Sequence, residues 1–549
     1  MASRDGVEDA DAREGRPTRE QFLKRAGAAG LAAGASGVLA ACGGSGSAKS
    51  TGTGASTGTS TAAAPSESLR TGGHLRIGMG SGSPADKVDP HVSLSPSDAA
   101  RLFAMYDGLA ELRASTDVMR PRLTLAEEMT PSKNGEEWTI RLRDGVEFHN
   151  GKTLDIDDFI ATFERITNPK TGAFGIIRWG VYDMKNARKL DKRTIRVPTT
   201  RRIGILPELM AASVQNIIPV GFDVKKPVGT GPFKLKSFQP GRQTVLERFE
   251  NYWGGPAKLD TVTLIDLPDP SARYNALLSG QIDLLDGVPL AQVEGLKANS
   301  KFKVSSLPSA QYFPIYVRVD MPPFDDVRVR QALKLCVNRQ QVVNSAFNGN
   351  AAVGNDVFAR FDAFQDESLK RQQDLEQAKS LLKQAGREGL TATLTTAPVG
   401  AGALESTQVF AENAKDAGMN IRLRQVDLGT MYGPNYHKWP FSVDNWPGLT
   451  YLILIASATA STASVNLTHF NDKKYDSLYA QALGELDESK RKEISHELQK
   501  IDFEQGGNII PAHPNYTAAY TTQVGGFYPA NLTGETVAAG FLNKLGFVT

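Results

Sequence analysis

Cysteine is nearly missing: Cys42 and Cys336 are the whole supply in 549 residues. They allow one disulfide at most and no zinc site built from thiolates alone. The seven histidines are scattered, with no H-x-H or H-x₃-H pair to mark a metal centre. An excess of one charge is also missing. With 62 Lys and Arg against 60 Asp and Glu the formal net charge is +2, and no basic block stands out in the folded part. That excludes a nucleic-acid partner, because phosphate binding needs a clustered positive field. Long apolar runs are lacking as well. Neither the uncharged Ala/Gly-rich stretch Ala26–Ala41 nor "LTYLILIA" (Leu449 to Ala456) reaches the roughly 20 strongly apolar residues of a spanning helix. The second reads as a buried strand or the start of a helix.

What is present near the N-terminus reads as an export leader. Met1–Lys24 is polar, and its last part, "RPTREQFLKR", is net basic. The uncharged Ala26–Ala41 core follows. "Leu39-Ala40-Ala41-Cys42" resembles the bacterial lipobox, in which the cysteine is lipidated and becomes the first residue of the mature chain. "Thr18-Arg19-Glu20-Gln21-Phe22-Leu23-Lys24" resembles the twin-arginine export motif, except that Glu20 stands where the second arginine belongs. The export route, twin-arginine or general secretion, stays open. From Gly43 to about Ser68 the chain is almost all Gly, Ser, Thr and Ala, too poor in apolar side chains to offset ordering entropy. Such a linker spans roughly 30 Å and suits a tether. Within it, "Gly54-Ala55-Ser56-Thr57-Gly58" matches the hydrolase elbow G-x-S-x-G but has no strand before it and no helix after it.

At this length two or three domains are expected. Period-two alternation predicts strands at "HLRIGM" (His74 to Met79), Trp138–Arg143, Thr194–Val197, Thr244–Phe249, Thr261–Ile265 and Ile421–Val426. Helical spacing predicts a helix through Ile156, Phe159, Ile160 and Phe163, ended at Asn168-Pro169. A second is capped by Ser271 with Gly280 past its end. A third ends at Gly386, with Leu375, Ala378, Leu381, Leu382 and Ala385 inward, and another carries Leu478, Ala482 and Leu483. Val329, Ala332, Leu333, Cys336 and Val337 share one helix face, so Cys336 reads as a buried small hydrophobe. Strands and helices intermingle throughout, which makes the class α/β.

Several loops read as structural. Asp144-Gly145 and Asn150-Gly151 suit tight turns, and His149 between them reads as a hydrogen-bonded turn residue. In "GTGPF", Gly229 and Gly231 are expected to supply positive φ. No Lys-Ser/Thr pair follows them at the P-loop spacing. In "PPFDDVRVRQAL", Asp325 or Asp326 caps a helix that Pro322-Pro323 cannot join.

Four segments together resemble the bacterial extracellular solute-binding proteins of the oligopeptide/dipeptide/nickel type, family 5. They are "WTIRLRDGVEFHNGKTLDIDDFIATFERI" (Trp138 to Ile166), "VGTGPFKLKSFQPGRQTVLERFENYWGGPAKLDTVTL" (Val228 to Leu264), "ALLSGQIDLLDGVP" (Ala276 to Pro289) and "MPPFDDVRVRQALKLCVNRQQVV" (Met321 to Val343). The resemblance implies a two-lobed periplasmic-binding-protein-like fold of the large type II form, with an extra domain inserted in lobe one. On that reading residues 1–41 are the signal peptide and 42–71 the lipidated cysteine and linker. Residues 72–108, 216–308 and 512–549 form lobe I, 109–215 the inserted domain, and 309–511 lobe III. Hinges are implied near Ser305–Phe313 and Ile509–Tyr516. Trp253, in "NYWGG", is implied to be a core aromatic.

The same resemblance implies a non-enzymatic carrier without cofactor or metal. It would be a monomer held by Cys42 on the outer face of the cell membrane, handing a small solute or peptide to ABC permease subunits. Ligand contacts are implied at Met79, Gly80 and Ser81, at Tyr312, at Asn445 and Trp446, and at His513 and Asn515. One departure matters. Peptide-binding members carry an aspartate shortly after the tryptophan, whereas here no acid follows Trp446 until Asp472. A buried ammonium without a counter-charge is costly. Either Asp444 substitutes from the other side, or the solute lacks a free α-amine, as sugars, blocked peptides and metal chelates do; the second is favoured.

Rival readings are a surface receptor or sensory lipoprotein on the same fold, and a secreted hydrolase. "His496-Glu497-Leu498-Gln499-Lys500" begins like H-E-x-x-H but has Lys500 in place of the second histidine. "Gly80-Ser81-Gly82-Ser83-Pro84-Ala85" mimics a dinucleotide fingerprint, but Pro84 disrupts the helix that fingerprint needs.

Overall fold

Alternation at His74–Met79 puts Leu75, Ile77 and Met79 on the inner face of a strand, and all three are fully buried. In the computed structural model, which describes residues 68–92, 95–113, 118–212, 215–527, 533–534, 536 and 542–549, this strand runs through a seven-stranded sheet. The sheet order is Phe302–Leu307, Tyr516–Thr521, Leu284–Asp286, His74–Met79, Thr261–Asp266, Gln243–Arg248, Phe233–Gln239. His74–Met79 is parallel to both of its neighbours, and the outer pairings are antiparallel. Cys42, the leader, the linker up to residue 67 and the elbow-like Gly54–Gly58 lie outside the described residues; Leu69–Arg70, expected to belong to the linker, is a strand paired with Phe547 and Val548.

A five-stranded sheet follows the order Asn420–Gln425, Thr391–Thr396, Phe441–Val443, Ile315–Val317, Asn508–Ile509. Helices pack on it, among them Val327–Leu335, Ala403–Asp416 and the eighteen-residue Glu488–Gln505. The apolar run after Trp446 forms the helix Tyr451–Ala458, buried along most of its length. The chain crosses between the two large sheets twice. It leaves Phe302–Leu307 to enter Ile315–Val317, and it returns from Asn508–Ile509 through Ala512–Pro514 to Tyr516–Thr521.

A third unit departs where Gly108 bridges Asn216. It holds a four-stranded antiparallel sheet (Ala126–Pro131, Glu137–Leu142, Thr194–Pro198, Arg188–Lys189) and the helix Ile156–Thr167. Asp155 caps that helix in a full capping box with Asp158. By chain order the unit interrupts the first lobe, yet one apolar core runs from its Trp138, Phe159 and Trp179 into Tyr312, Phe410 and Tyr475 of the second. A separate core underlies the seven-stranded sheet.

Some local expectations need correction. Gly229 and Gly231 do not adopt positive φ. Close approach explains them instead: a Cβ on Gly229 would lie 2.0 Å from the Met105 carbonyl oxygen, and one on Gly231 would lie 2.5 Å from the Met105 carbonyl carbon. The helix Pro270–Leu278 is capped by Asp269, not Ser271, because Pro270 takes the first helical position and the Asp269 side chain accepts from the Ala272 N–H. Trp253 is half-buried, not core; its Nε1 donates to Asp107 across 3.0 Å, and Arg143 stacks on its ring. Of the Asp325/Asp326 pair, Asp326 is the cap. His149 is a hydrogen-bonded turn residue: Nδ1 accepts from the Gly229 N–H and Nε2 donates to Gly231 O. Burial holds its ring down to about 4, so it is neutral at pH 7.

Candidate functional site

The crossing segments 308–314 and 510–515 meet residues 444–446, which follow strand Phe441–Val443. Tyr312 and Trp446 form an isolated antiparallel bridge. Both side chains are largely buried, Tyr312 2% and Trp446 7% exposed, so this is a lining shut away from solvent. Polar links brace it. Gln311 Nε2 donates to Asn445 Oδ1 (3.1 Å), and Asn445 Nδ2 donates to the Val399 carbonyl (2.9 Å). Ser309 Oγ donates to the Pro514 carbonyl (2.6 Å), tying one crossing segment to the other. Asn515 reaches Ser306 with its side chain and Asn350 with its N–H. Residues 533–534 close in from the C-terminal part. The Gly448 N–H donates to the Thr533 carbonyl, and Gly534, at φ 68°, lies so near that a Cβ would sit 2.6 Å from Gln311 Cβ.

An aromatic column runs through this junction. His513 lies edge-on to Tyr312 (6.1 Å between centroids), Tyr312 stacks with Phe358 (6.3 Å), and Phe358 with Tyr451 (5.0 Å). The Tyr451 hydroxyl donates to Asp502. Burial, with the Arg360 charge adding to it, holds His513 down to about 3, so the imidazole is neutral at physiological pH. Asp444 is fully buried beneath the crossing. Its Oδ2 accepts from the Tyr436 hydroxyl (2.8 Å), and its N–H donates to the Pro314 carbonyl.

The structure therefore brings together six of the nine residues expected from the sequence: Tyr312, Asp444, Asn445, Trp446, His513 and Asn515. Met79, Gly80 and Ser81 stand at the carboxyl end of the parallel strands of the other sheet, a usual place for ligands in open α/β sheets. Ser81 is hydrogen-bonded to Ser97 at the start of helix Pro96–Met105, and Gly80 packs against the Arg273 guanidinium. Next to them Arg101, fully buried, meets three carboxylates: Asp86 (3.2 Å), Asp98 (2.6 Å) and Asp266 (2.7 Å). One guanidinium cannot offset three buried anions. Burial pushes the Asp98 carboxyl up to about 6, against the pull of Arg101 and with help from Asp86. Asp286 closes the far side, accepting from the Tyr516 hydroxyl.

Sequence reasoning missed Phe358, Arg360 and Tyr451. The first two sit in residues 354–374, which hold no helix or strand apart from the isolated Asp362–Met119 bridge. A long unstructured connection inside a packed lobe is itself a functional signal. Among the described residues no group of three or more His, Cys, Asp or Glu is placed to hold a metal ion.

Comparison with known proteins matches residues 120–452 to the model of the bacterial extracellular solute-binding proteins, family 5 Middle. The glutathione-binding protein GsiB of Salmonella paratyphi A is 27% identical over 480 residues, covering 82% of this chain and 92% of that protein. The periplasmic binding protein DppA of Helicobacter pylori, solved with the peptide STSA, superposes with a TM-score of 0.73 at 21% identity, over 87% of this chain and 99% of that one. NikZ of Campylobacter jejuni, solved with Ni(L-His), superposes at 0.74 with 18% identity, over 86% and 99%.

Proposed function

The chain belongs to the bacterial extracellular solute-binding proteins of family 5, and from that premise we propose that it captures a small solute outside the cell and delivers it to the permease subunits of an ABC importer. The observation that carries this reading is the double crossing at segments 308–314 and 510–515, tied to each other by Ser309 and to the second lobe by the Tyr312–Trp446 bridge. Among the described residues the chain passes between the two large sheets at two neighbouring segments, both lined by aromatic and amide side chains. Two bodies so joined rotate about the crossings and enclose what lies between them. Lobe I is assigned residues 72–108, 216–308 and 512–549, the inserted domain 109–215, and lobe III 309–511. Tyr312, Asn445, Trp446, His513 and Asn515 line the hinge side of the cleft, with Asp444 beneath. Met79, Gly80 and Ser81 form the facing wall.

The solute is peptide-like, a sugar derivative or a metal chelate. Relatives named for glutathione, for a peptide complex and for Ni(L-His) support that range. The binder acts as a monomer, and Cys42 anchors it by lipid to the outer face of the membrane. Among the described residues no helix is long and apolar enough to cross a bilayer. Small-angle scattering during titration with a peptide and metal-chelate panel tests the capture mechanism: a saturable fall in radius of gyration is expected, and no compaction with any solute overturns it. Native mass spectrometry of freshly purified protein identifies the solute class directly.

A further inference from the structure

The strand Asn420–Gln425 ends one side of the five-stranded sheet, and among the described residues no strand pairs with its outer edge. Its ladder to Thr391–Thr396 is parallel and runs unbroken over six residue pairs. The Asn420 N–H donates to the Leu390 carbonyl and the Val426 N–H to the Thr396 carbonyl, so Asn420, Arg422 and Arg424 turn their backbone groups inward. The alternate residues of such a ladder point theirs outward. Ile421, Leu423 and Gln425 therefore present a row of unpaired N–H and C=O groups. Proline, lysine or a bulge commonly blunts an edge of this kind, and this strand has none of the three.

The side chains say what would fit there. Arg422, Leu423, Arg424 and Gln425 are all exposed, so neither face of this half of the strand is covered. Alternation puts Arg422 and Arg424 on one face and Leu423, 37% exposed, on the other. No acid offsets the arginines from within the sheet, because the residues beside them are Thr393, Leu394 and Thr395. Arg424 lies 5.6 Å over the Trp439 ring, and Arg422 makes no ion pair among the described residues. Asp427, the nearest acid along the chain, caps the helix Leu428–Met431. A second copy of the chain fits this edge badly. Antiparallel pairing about Leu423 sets each chain's Arg422 against the other's Arg424, and like charges directly opposite are destabilising. A strand that carries carboxylates is favoured at both positions.

We infer that Asn420–Gln425 is a docking edge for an extended acidic segment of a partner protein, which adds to the sheet as a further strand and sets carboxylates at alternate positions against Arg422 and Arg424. Main-chain hydrogen bonds supply the affinity of such strand addition and the alternate side chains supply the selection. The edge lies across the sheet from Ile315–Val317 and Asn508–Ile509, the strands that adjoin the crossings. An occupant there leaves Tyr312 and Trp446 untouched and rides on the second lobe. The inference is thus independent of solute capture.

The test is fluorescence anisotropy on the full chain with a labelled, end-blocked peptide of sequence Gly-Thr-Glu-Val-Glu-Val-Glu-Thr-Gly, beside a counterpart with lysine in place of glutamate. The acidic peptide is expected to bind about tenfold or more tightly than the basic one. Added salt should weaken it, and amide hydrogen exchange across residues 420–426 should slow when it binds. Arg422→Glu combined with Arg424→Glu is expected to reverse the preference. Leu423→Pro removes one outward N–H, which an edge strand tolerates, and is expected to abolish binding. Unchanged exchange across Thr391–Thr396 shows that its sheet is intact; if the sheet has loosened, the charge-reversed variant decides alone. No binding of the acidic peptide, equal binding of the two peptides, or binding that leaves exchange at 420–426 unaltered overturns the inference. So does a dimer in sedimentation that Leu423→Pro abolishes, because the edge would then serve self-pairing. None of these outcomes bears on solute capture.

Discussion

The N–H of Tyr312 donates to the Trp446 carbonyl across 3.1 Å, and the N–H of Trp446 donates back to the Tyr312 carbonyl across 3.0 Å. One residue sits on a crossing segment and the other just beyond a strand of the second lobe, so this reciprocal pair ties the crossing to that lobe. Trp446→Ala should cost about 3 kcal/mol or more in a urea titration, as for other buried tryptophans. It should also weaken solute binding by about tenfold or more, equivalent to about 1.4 kcal/mol. Trp446→Phe should recover most of the stability. If it recovers stability and affinity in equal measure, Trp446 is a packing residue and not a contact.

The inserted unit closes on the second lobe through Gly204. Its N–H donates to the Leu483 carbonyl (2.6 Å), and an added Cβ would lie 2.2 Å from the Glu485 carbonyl oxygen. Arg491 braces the same spot by donating to Glu485 and Gly204 carbonyls, and Arg120 pairs with Glu488 nearby. Gly204→Ala should force these surfaces apart at a cost of about 1–3 kcal/mol. Its radius of gyration should exceed that of wild type without solute; identical scattering curves would show that the contact has slack.

The three-carboxylate cluster around Arg101 gives a pH signature. With the Asp98 carboxyl at about 6 in the folded chain and about 4 unfolded, the folded state binds more protons between those values. The stabilising share of Asp98 is therefore full below about pH 4 and is lost as pH rises through 6, on the order of 2 kcal/mol. Asp98→Asn should show the reverse trend relative to wild type: measured at pH 4, 5 and 6.5, the variant's relative stability should climb with pH. Parallel profiles would mean that Arg101 keeps Asp98 ionised throughout.

Cys336 is fully buried, and burial pushes its thiol up to about 12. In a Cys42→Ser chain a thiol-specific chromogenic reagent should therefore react only on unfolding, with rates that rise with urea alongside loss of structure. A fast reaction in buffer would place Cys336 on an accessible path. The same Cys42→Ser change should release the protein from the membrane fraction of expressing cells, and unchanged retention would remove the lipid anchor from consideration.

Much of the scaffold was legible because its elements obey simple periods. The strand at His74–Met79 matches its alternation residue for residue, and Thr194–Pro198 and Asn420–Gln425 agree with theirs within one position at each end. The helix Ile156–Thr167 stops where Asn168-Pro169 said it would. Glycines read less well, since Gly229 and Gly231 answer to a neighbour, Met105, that no local pattern reveals. The hinge residues came from family resemblance, not from periodicity. Arg101 was invisible for a related reason. It is one arginine among many until tertiary packing surrounds it with aspartates.

The two ends of the folded part are stitched together. Leu69–Arg70 pairs with Gly546–Val548, and Phe547 belongs to the core beneath the seven-stranded sheet. Any tug transmitted along the preceding residues enters at that seam and spreads into the first lobe's sheet. On the proposed capture mechanism the second lobe is then an unloaded door: a pull at the base loads the first lobe's seam and leaves the crossing segments to move on their own.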